Sequence, residues 1–284
     1  MDRFSKLNPK VTLLFFFAEI VLAIAVFNPV FTAVTFVGAC IYKVMCSGKD
    51  GVIYIFKFAL PLIFLAALFN FIFVHYGVTV LFEFSQISFT LEAVFYGFSQ
   101  GLMLAAVLLW FNIYSQVITS EKFLAVFGRF APNIAMIFSM VLSFIPRLKR
   151  NAAEINDARS LISTDEGRMK KSIGNFSALI TMTLEESIDT ADSMKARGFS
   201  EKRTVYSKYK FSAFDFVIML VIITAFVIIA VFDITGRLDF VFEPVIAAGR
   251  ISPFAVIIYS LLSFLPAIID FAEGIKWFYL KQKI

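Results

Sequence analysis

Residues 213–232 read AFDFVIMLVIITAFVIIAVF, and Asp215 is the only ionisable side chain among them. A bilayer's hydrocarbon core is crossed by about 20 apolar residues in helical form, within a range of roughly 17–25. This stretch therefore has the length and character of a membrane span. Five further segments meet the same test: approximately Val11–Phe27, Pro29–Cys46, Val52–Val74, Thr90–Ser115 and Ile251–Ile269. Asn28-Pro29 is a turn signal that divides the first two into a tight hairpin. Both are short and Glu19 interrupts the first, so a shallow hairpin stands beside two full crossings as a reading.

Composition points the same way. Of 284 residues, 60% are hydrophobic and 37 are Phe, with a mean hydropathy of +0.83. Globular domains hold about 45–50% apolar residues. A soluble domain of this size leaves roughly a quarter of its unfolded surface exposed, too much to hide so many apolar side chains. Disordered and collagen-like chains are excluded by the same count. Lys and Arg number 26 against 21 Asp and Glu, a net +5. In a membrane protein that excess reflects basic cytoplasmic loops and implies no nucleic acid. Residues 1–10, 43–51 and 276–284 hold eight Lys and Arg, whereas the opposite connections hold only Arg237 and Arg250. Both termini and the long segment 116–210 are thus expected to be cytoplasmic. No small-residue cleavage site follows the charged start Met1–Lys10, so no removable signal peptide is expected.

The chain reads as an all-α integral membrane protein with about six transmembrane helices and long amphipathic cytoplasmic helices. About four membrane segments occupy 1–115, the cytoplasmic region 116–210, and about two more segments 211–284. Residues 78–91 alternate at Val78, Val80, Phe82 and Phe84, which suits an interfacial strand or a segment lying on the bilayer. Cys40 and Cys46, with a single His in the chain, are too few for a disulfide framework or a metal site and read as packing residues.

Region 116–210 carries the functional information. After Pro132, a first-turn proline, apolar residues recur at Ile134, Ile137, Phe138, Val141, Leu142, Ile145 and Leu148, one face of a helix. Pro146 is expected to kink or divide it. Ala152, Ile155, Ala158 and Ile162 continue the stripe. Ser163 and Glu166 have capping-box spacing and predict a second helix. Its stripe runs through Met169, Ile173, Phe176, Ile180, Leu184, Ser187, Ala191 and Met194, and Gly198 ends it. The two helix ends read Asp157-Ala158-Arg159-Ser160 and Lys195-Ala196-Arg197-Gly198, with the arginines 38 residues apart. Small neighbours clear space around a guanidinium, so that it can enter a groove and grip a carboxylate bidentately. The plainer reading is a basic last turn that complements the helix dipole.

The stretch Leu184–Phe199, LEESIDTADSMKARGF, resembles the second motif of the T component of energy-coupling-factor (ECF) transporters, also called the cobalt-transporter permease family. Phe144–Leu161, FIPRLKRNAAEINDARSL, is similar to that family's first motif region. The likeness extends to a short helix after Thr119-Ser120 and to the proline at 132, covering most of residues 116–200. The first motif usually ends in Ala-Arg-Gly, and here Ser160 replaces the glycine. Serine is still small, so the groove fit should survive with a less abrupt helix end.

The resemblance implies a multi-pass scaffold in the cytoplasmic (inner) membrane of a prokaryote, within a four-part importer. Two ABC-type ATPases, which carry the ATP and Mg, would dock on the helix ends. Arg159 and Arg197 would contact acidic residues of the ATPase grooves, and Ala158, Ser160, Ala196 and Gly198 would permit the close approach. A separate membrane protein, the S component, would bind a vitamin or a transition-metal ion. It would rest on a platform including Ile134, Phe138, Val141, Ile173, Phe176, Ile180 and Met194. Packing of the helices against the protein's own membrane base is the alternative role for these stripes. No catalytic residue, metal site or cofactor is expected in this chain.

Other features carry less. Glu19 at mid-segment reads as a structural polar contact or as part of a hairpin too shallow to bury it; a coupling or proton site would want a second charged neighbour, and Lys57, the nearest by depth, can snorkel to the cytoplasmic surface. Gly97 and Gly101 form a GxxxG that permits close helix crossing. His75 sits at an outer boundary, and Asp215 and Asp270 near cytoplasmic segment ends. No G-x-x-x-x-G-K-[ST], H-E-x-x-H or G-x-S-x-G occurs, so an enzyme is poorly supported. A conventional ABC permease would need polar pathway-lining residues across several segments, and few are present. A secondary transporter would show internal repeats and interrupted midplane helices, and neither is legible.

Overall fold

The structure, a computed structural model, describes residues 3–74, 77–84, 87–128, 131–162, 167–199, 209, 211–238, 240–242, 247–248 and 252–281. The chain divides into two compact units, Met1–Lys122 together with Tyr209–Ile284, and Phe123–Lys208. Both are built from α-helices, with two small β-hairpins in the first.

In the larger unit a short helix α1 (Arg3–Lys6) leads into α2 (Pro9–Ala25) and α3 (Pro29–Ser47). Asn8 and Asn28 cap α2 and α3 by accepting from the backbone N–H two residues on, and a proline fills the first helical position of each. The start of a helix suits both residue types, because its first N–H groups need an acceptor and proline has none to lose. The next segment comprises α4 (Lys49–Tyr54), a π-helical turn at Ile55–Ala59 and α5 (Leu60–Phe73). The wider turn sits just ahead of Pro61, which cannot donate to the carbonyl of Lys57. Then follow α6 (Leu91–Val117), the first three residues of α7 (Ser120–Phe127), whose remainder belongs to the smaller unit, and α10 (Ala213–Ile234), the last opening on a capping box of Ser212 and Asp215. The alternation seen at 78–84 becomes a hairpin, β1 (Val80–Phe84) paired antiparallel with β2 (Ile87–Thr90). A second, two-residue pair, β3 (Phe240–Val241) with β4 (Ala247–Ala248), had no signal in the sequence.

The sixth segment is not one straight helix. α11 (Pro253–Ser263) and α12 (Leu265–Lys281) meet at Phe264 with a bend of 54°. Pro266 has no N–H to give the Leu262 carbonyl, and its ring crowds that carbonyl. The helix therefore ends and restarts with proline in its first turn.

Four helical stretches, Pro29–Ser47, Lys49–Phe73, Leu91–Val117 and Ala213–Ile234, are long and apolar enough to cross a membrane, and the bent pair makes a fifth if it counts as one span. α2 has 17 residues, about 25 Å at the α-helical rise. Hydrogen bonds and ring contacts sort the helix ends of this unit into two groups. At one end, Phe4 N donates to Asp270 Oδ1 (2.9 Å), Asn8 N to Asp215 Oδ1 (3.5 Å) and Ser47 Oγ to Gln116 Oε1 (3.1 Å). Lys122 Nζ joins the same end, donating to Ser5 O, Ser5 Oγ and Val117 O. Burial pushes this lysine's pKa below its usual range, and the three acceptors hold the charged form. At the other end, Asn28 Nδ2 donates to Leu238 O (3.0 Å), and the Phe27 ring meets Tyr96 and Phe242. Val117 and Lys122, just before residues 123–208, and Ser212 and Asp215, just after them, belong to the same end.

Between the ends lies an aromatic core. Trp110, fully buried, meets Phe15, Phe16 and Tyr42, and Phe4 closes on the same three rings, mostly edge to face. The GxxxG brings α6 against α5: a Cβ on Gly97 would lie 2.6 Å from Asn70 Cβ, and one on Gly101 only 2.9 Å from Ile63 O. Cys40 and Cys46 are half-buried and pack against the core. His75 lies outside the described residues.

Candidate functional site

The smaller unit is dominated by two helices, α8 (Pro132–Ile162) and α9 (Arg168–Ala196). α8 runs unbroken through Pro146, so the expected division there does not occur. Ser163 and Glu166 lie outside the described residues, and α9 starts with Gly167 as its N-cap. The helices run antiparallel, as three cross-links show. Arg147 Nε meets Glu186 Oε2 at 3.3 Å, Asn175 Nδ2 donates to Asn156 Oδ1 at 3.1 Å, and Arg159 Nη1 donates to Asn175 Oδ1 at 3.4 Å.

Arg159 is half-buried, and its guanidinium lies over Gly174, in the space that a Cβ there would occupy. Ala158 and Ser160 beside it are exposed, and Ser160 Oγ donates to Asp157 O. The helix continues to Ile162, so this small–Arg–small triplet lies inside the last turn, as serine in place of a terminal glycine allows. Arg159 is therefore already engaged, by Gly174 and Asn175, neither of which the sequence reading selected.

Arg197 differs. Gly198 N donates to Lys195 O and Phe199 N to Met194 O, with Gly198 at φ 74°. This is the Schellman arrangement, in which a left-handed residue, cheapest as glycine, lets two later N–H groups close the helix end. It fixes Arg197 at the C-cap with its side chain exposed, and no ion pair or hydrogen bond holds that side chain among the described residues. A cleft of about 330 Å³ borders it, lined by Arg147, Glu186, Asp189, Thr190, Ser193, Met194 and Arg197. Arg159 sits at Gly174, 23 residues before Arg197, so the two guanidiniums are served by points roughly 35 Å apart along α9. They form two separate stations, not one pocket.

The apolar stripes are largely uncovered. Ile134, Phe138, Val141, Ile173, Phe176 and Ile180 are all exposed, Phe138 by 53% and Phe176 by 64% of its surface. Met194 is half-buried and lines the cleft with Arg197. Among the described residues no apolar side chain of α8 or α9 is buried, and Asn151 is the one buried residue. α9 turns toward α8 the face of Asn175, Leu179, Thr183, Glu186 and Thr190, each partly covered, whereas Ile173, Phe176, Ile180 and Leu184 face away. On α9 the covered face is one residue out of step with the apolar stripe, whereas on α8 Leu148, Ala152 and Ile155 of the stripe are themselves partly covered. Packing against α8 is thus not the role of Ile173, Phe176, Ile180 and Leu184 of the α9 stripe.

Glu19, expected to find a structural polar contact, is fully buried, and neither carboxylate oxygen has a hydrogen-bond partner among the described residues. Lys57 is exposed. Asp215 and Asp270 do have structural roles, binding backbone N–H groups of the N-terminal residues. Comparison of the sequence with protein-family models and with curated proteins returns no match.

Proposed function

We propose that the chain is the energy-transducing T component of an ECF-type importer. In this reading it is a multi-pass protein of a prokaryotic cytoplasmic membrane, with six spans and both termini in the cytoplasm. The four apolar helices long enough to cross a membrane, with the bent pair as a fifth, support a multi-pass chain, and the concentration of basic residues in 1–10 and 43–51 supports the orientation. The smaller unit would supply the coupling helices. Two ABC-type ATPases, carrying the ATP and Mg, would dock at Ala158-Arg159-Ser160 and Ala196-Arg197-Gly198. An S component holding a vitamin or a transition-metal ion would rest on the exposed stripes. The chain itself would perform no catalysis.

One observation carries the reading: a small–Arg–small helix end that presents Arg197 with its donors unspent beside an open cleft. A guanidinium with free N–H groups at a rigid helix end is prepared for a partner carboxylate, bidentate pairing being its strongest mode. The separation of the two stations suits two protein partners better than one small ligand. Co-purification from the native membrane through a tag on this chain should yield two ABC-type ATPases and one or more small membrane proteins. Truncating one partner of a buried charge pair costs about 2–5 kcal/mol, or 30-fold and more in affinity, so Arg197→Glu should lose the ATPases. A chain that purifies alone and is transport-competent in liposomes would refute the assignment. That outcome would favour a secondary transporter, a reading to which the break between α11 and α12 lends some support.

A further inference from the structure

The larger unit holds a buried acid that the docking reading does not use. Glu19 lies on α2, with none of its surface exposed and both carboxylate oxygens unpartnered among the described residues. Its polar neighbours are hydroxyls. Ser263 Oγ, likewise buried without a hydrogen-bond partner among the described residues, is its polar neighbour on α11. Tyr259, one turn earlier on α11, is within its electrostatic reach and pairs with Thr35 of α3, their oxygens 2.6 Å apart. Ser263 is the last residue of α11, at the 54° break that Pro266 imposes.

Among the described residues no cation compensates this acid. α6 packs against α2 and carries Glu92 as its one charged residue, bonded to Thr79. α10 carries Asp215 and Asp233, both near its ends. On α3, Lys43 is engaged by Asn112 and by the Tyr54 ring. On α12, Asp270 accepts from Phe4 N. α1 offers Arg3 and Lys6, and α2 itself Lys10, all at the far end of the helix from Glu19. Among the described residues Tyr259 is the titratable group near the carboxylate.

An ionised carboxylate so placed is strongly unfavourable. The C-terminal end of α11 adds partial negative charge at the same point. Carboxylate, hydroxyl oxygens and helix end all favour a positive ligand, and a broken helix beside an intramembrane acid is where such ligands bind in transporters. The space is tight: a Cβ on Gly38 would lie 2.5 Å from Ser263 Oγ. That close packing selects the smallest cation. We propose that Glu19 is a proton-binding site at the break between α11 and α12, with Ser263 and the Thr35–Tyr259 pair as its polar surround. The proposal stands on the larger unit alone and does not depend on the ATPase-docking reading.

Infrared spectroscopy of the full chain in lipid nanodiscs tests it. At neutral pH the wild type should show the carbonyl stretch of a protonated carboxylic acid, lost in Glu19→Gln and shifted in Ser263→Ala. The wild-type unfolding midpoint should fall as the pH rises from the ordinary carboxylate range through neutral, and the Glu19→Gln midpoint should fall less. A wild type without the band at neutral pH, or a band that survives in Glu19→Gln, overturns the proposal. Should Glu19→Gln not fold, an unmoved band in Ser263→Ala overturns it equally. If sodium chloride, against choline chloride at equal concentration, removes the band and raises the midpoint, the site binds sodium and the proposal fails.

Discussion

Gly174→Ala isolates the contact that occupies Arg159. A Cβ at this position would fall inside the guanidinium, and since that group is the free end of a flexible side chain, it would swing away and leave α9 undisturbed. Two effects oppose each other. Ala is better than Gly in a helix interior by about 0.8–1 kcal/mol. Against this stands the Arg159–Asn175 hydrogen bond, long at 3.4 Å, which places it at the low end of the roughly 1.5–3 kcal/mol expected where one group is charged. Arg159 is half-exposed and regains water on leaving, so the loss is discounted to about 1 kcal/mol. In the wild-type background the substitution should therefore be close to neutral. In an Arg159→Ala background nothing needs displacing, and only the propensity gain of about 1 kcal/mol remains, a factor of about five in a local opening equilibrium. Hydrogen exchange of peptides spanning 168–182, measured on the full chain in detergent, reads that equilibrium directly. Exchange slowed about fivefold in the Arg159→Ala background and little changed in the wild type would give a coupling near 1 kcal/mol. Equal slowing in both backgrounds would show that Arg159 does not rest on Gly174. The same variant bears on docking, since it releases Arg159 and should assist ATPase binding where Arg197→Glu abolishes it.

Two further substitutions probe the larger unit. Gly101→Ala sets a Cβ against the backbone of Ile63 and should cost about 1–3 kcal/mol as α5 and α6 are forced apart; the control Gly274→Ala, with open space around it, should instead gain about 1 kcal/mol, and thermal midpoints in detergent that move together would refute the close crossing. Lys122→Met removes the donor that serves Ser5 O and Val117 O and should cost about 1–3 kcal/mol, seen as faster hydrogen exchange over residues 3–8; unchanged exchange would mean that Lys122 does not tie down the N-terminus.

The apolar segments were legible because a helix in lipid must satisfy its own backbone and show apolar side chains on most sides. Ala213–Ile234 and Leu91–Val117 match the predicted segments to within a few residues. Where the reading stopped short, the missing information was local or relational. Hydropathy averages over the sixth segment and passes across Leu265-Pro266, yet that proline alone divides it. The partners of Arg159 depend on the register between α8 and α9, which sets Asn156 beside Asn175 and Arg147 beside Glu186, and nothing in either helix alone encodes it. The isolation of Glu19 is likewise a property of what five other helices do not place beside it.

α9 makes the limits of periodicity plain. Its apolar residues recur at helical spacing, and the usual inference is that such a stripe turns toward the partner helix. Here Thr183, Glu186 and Thr190 turn toward α8 and Ile173, Phe176 and Ile180 turn outward. A polar interface between two helices is affordable when hydrogen bonds cross it, as they do at Asn156–Asn175 and Arg147–Glu186. An outward stripe of large aliphatic and aromatic side chains has no such remedy in water, since each Å² of apolar surface left wet forgoes about 25 cal/mol. A helix that keeps its apolar stripe on the outside, as α9 does, is built to be covered. An S component resting on α8 and α9, with ATPases gripping their ends, would give both the stripe and the arginines a use.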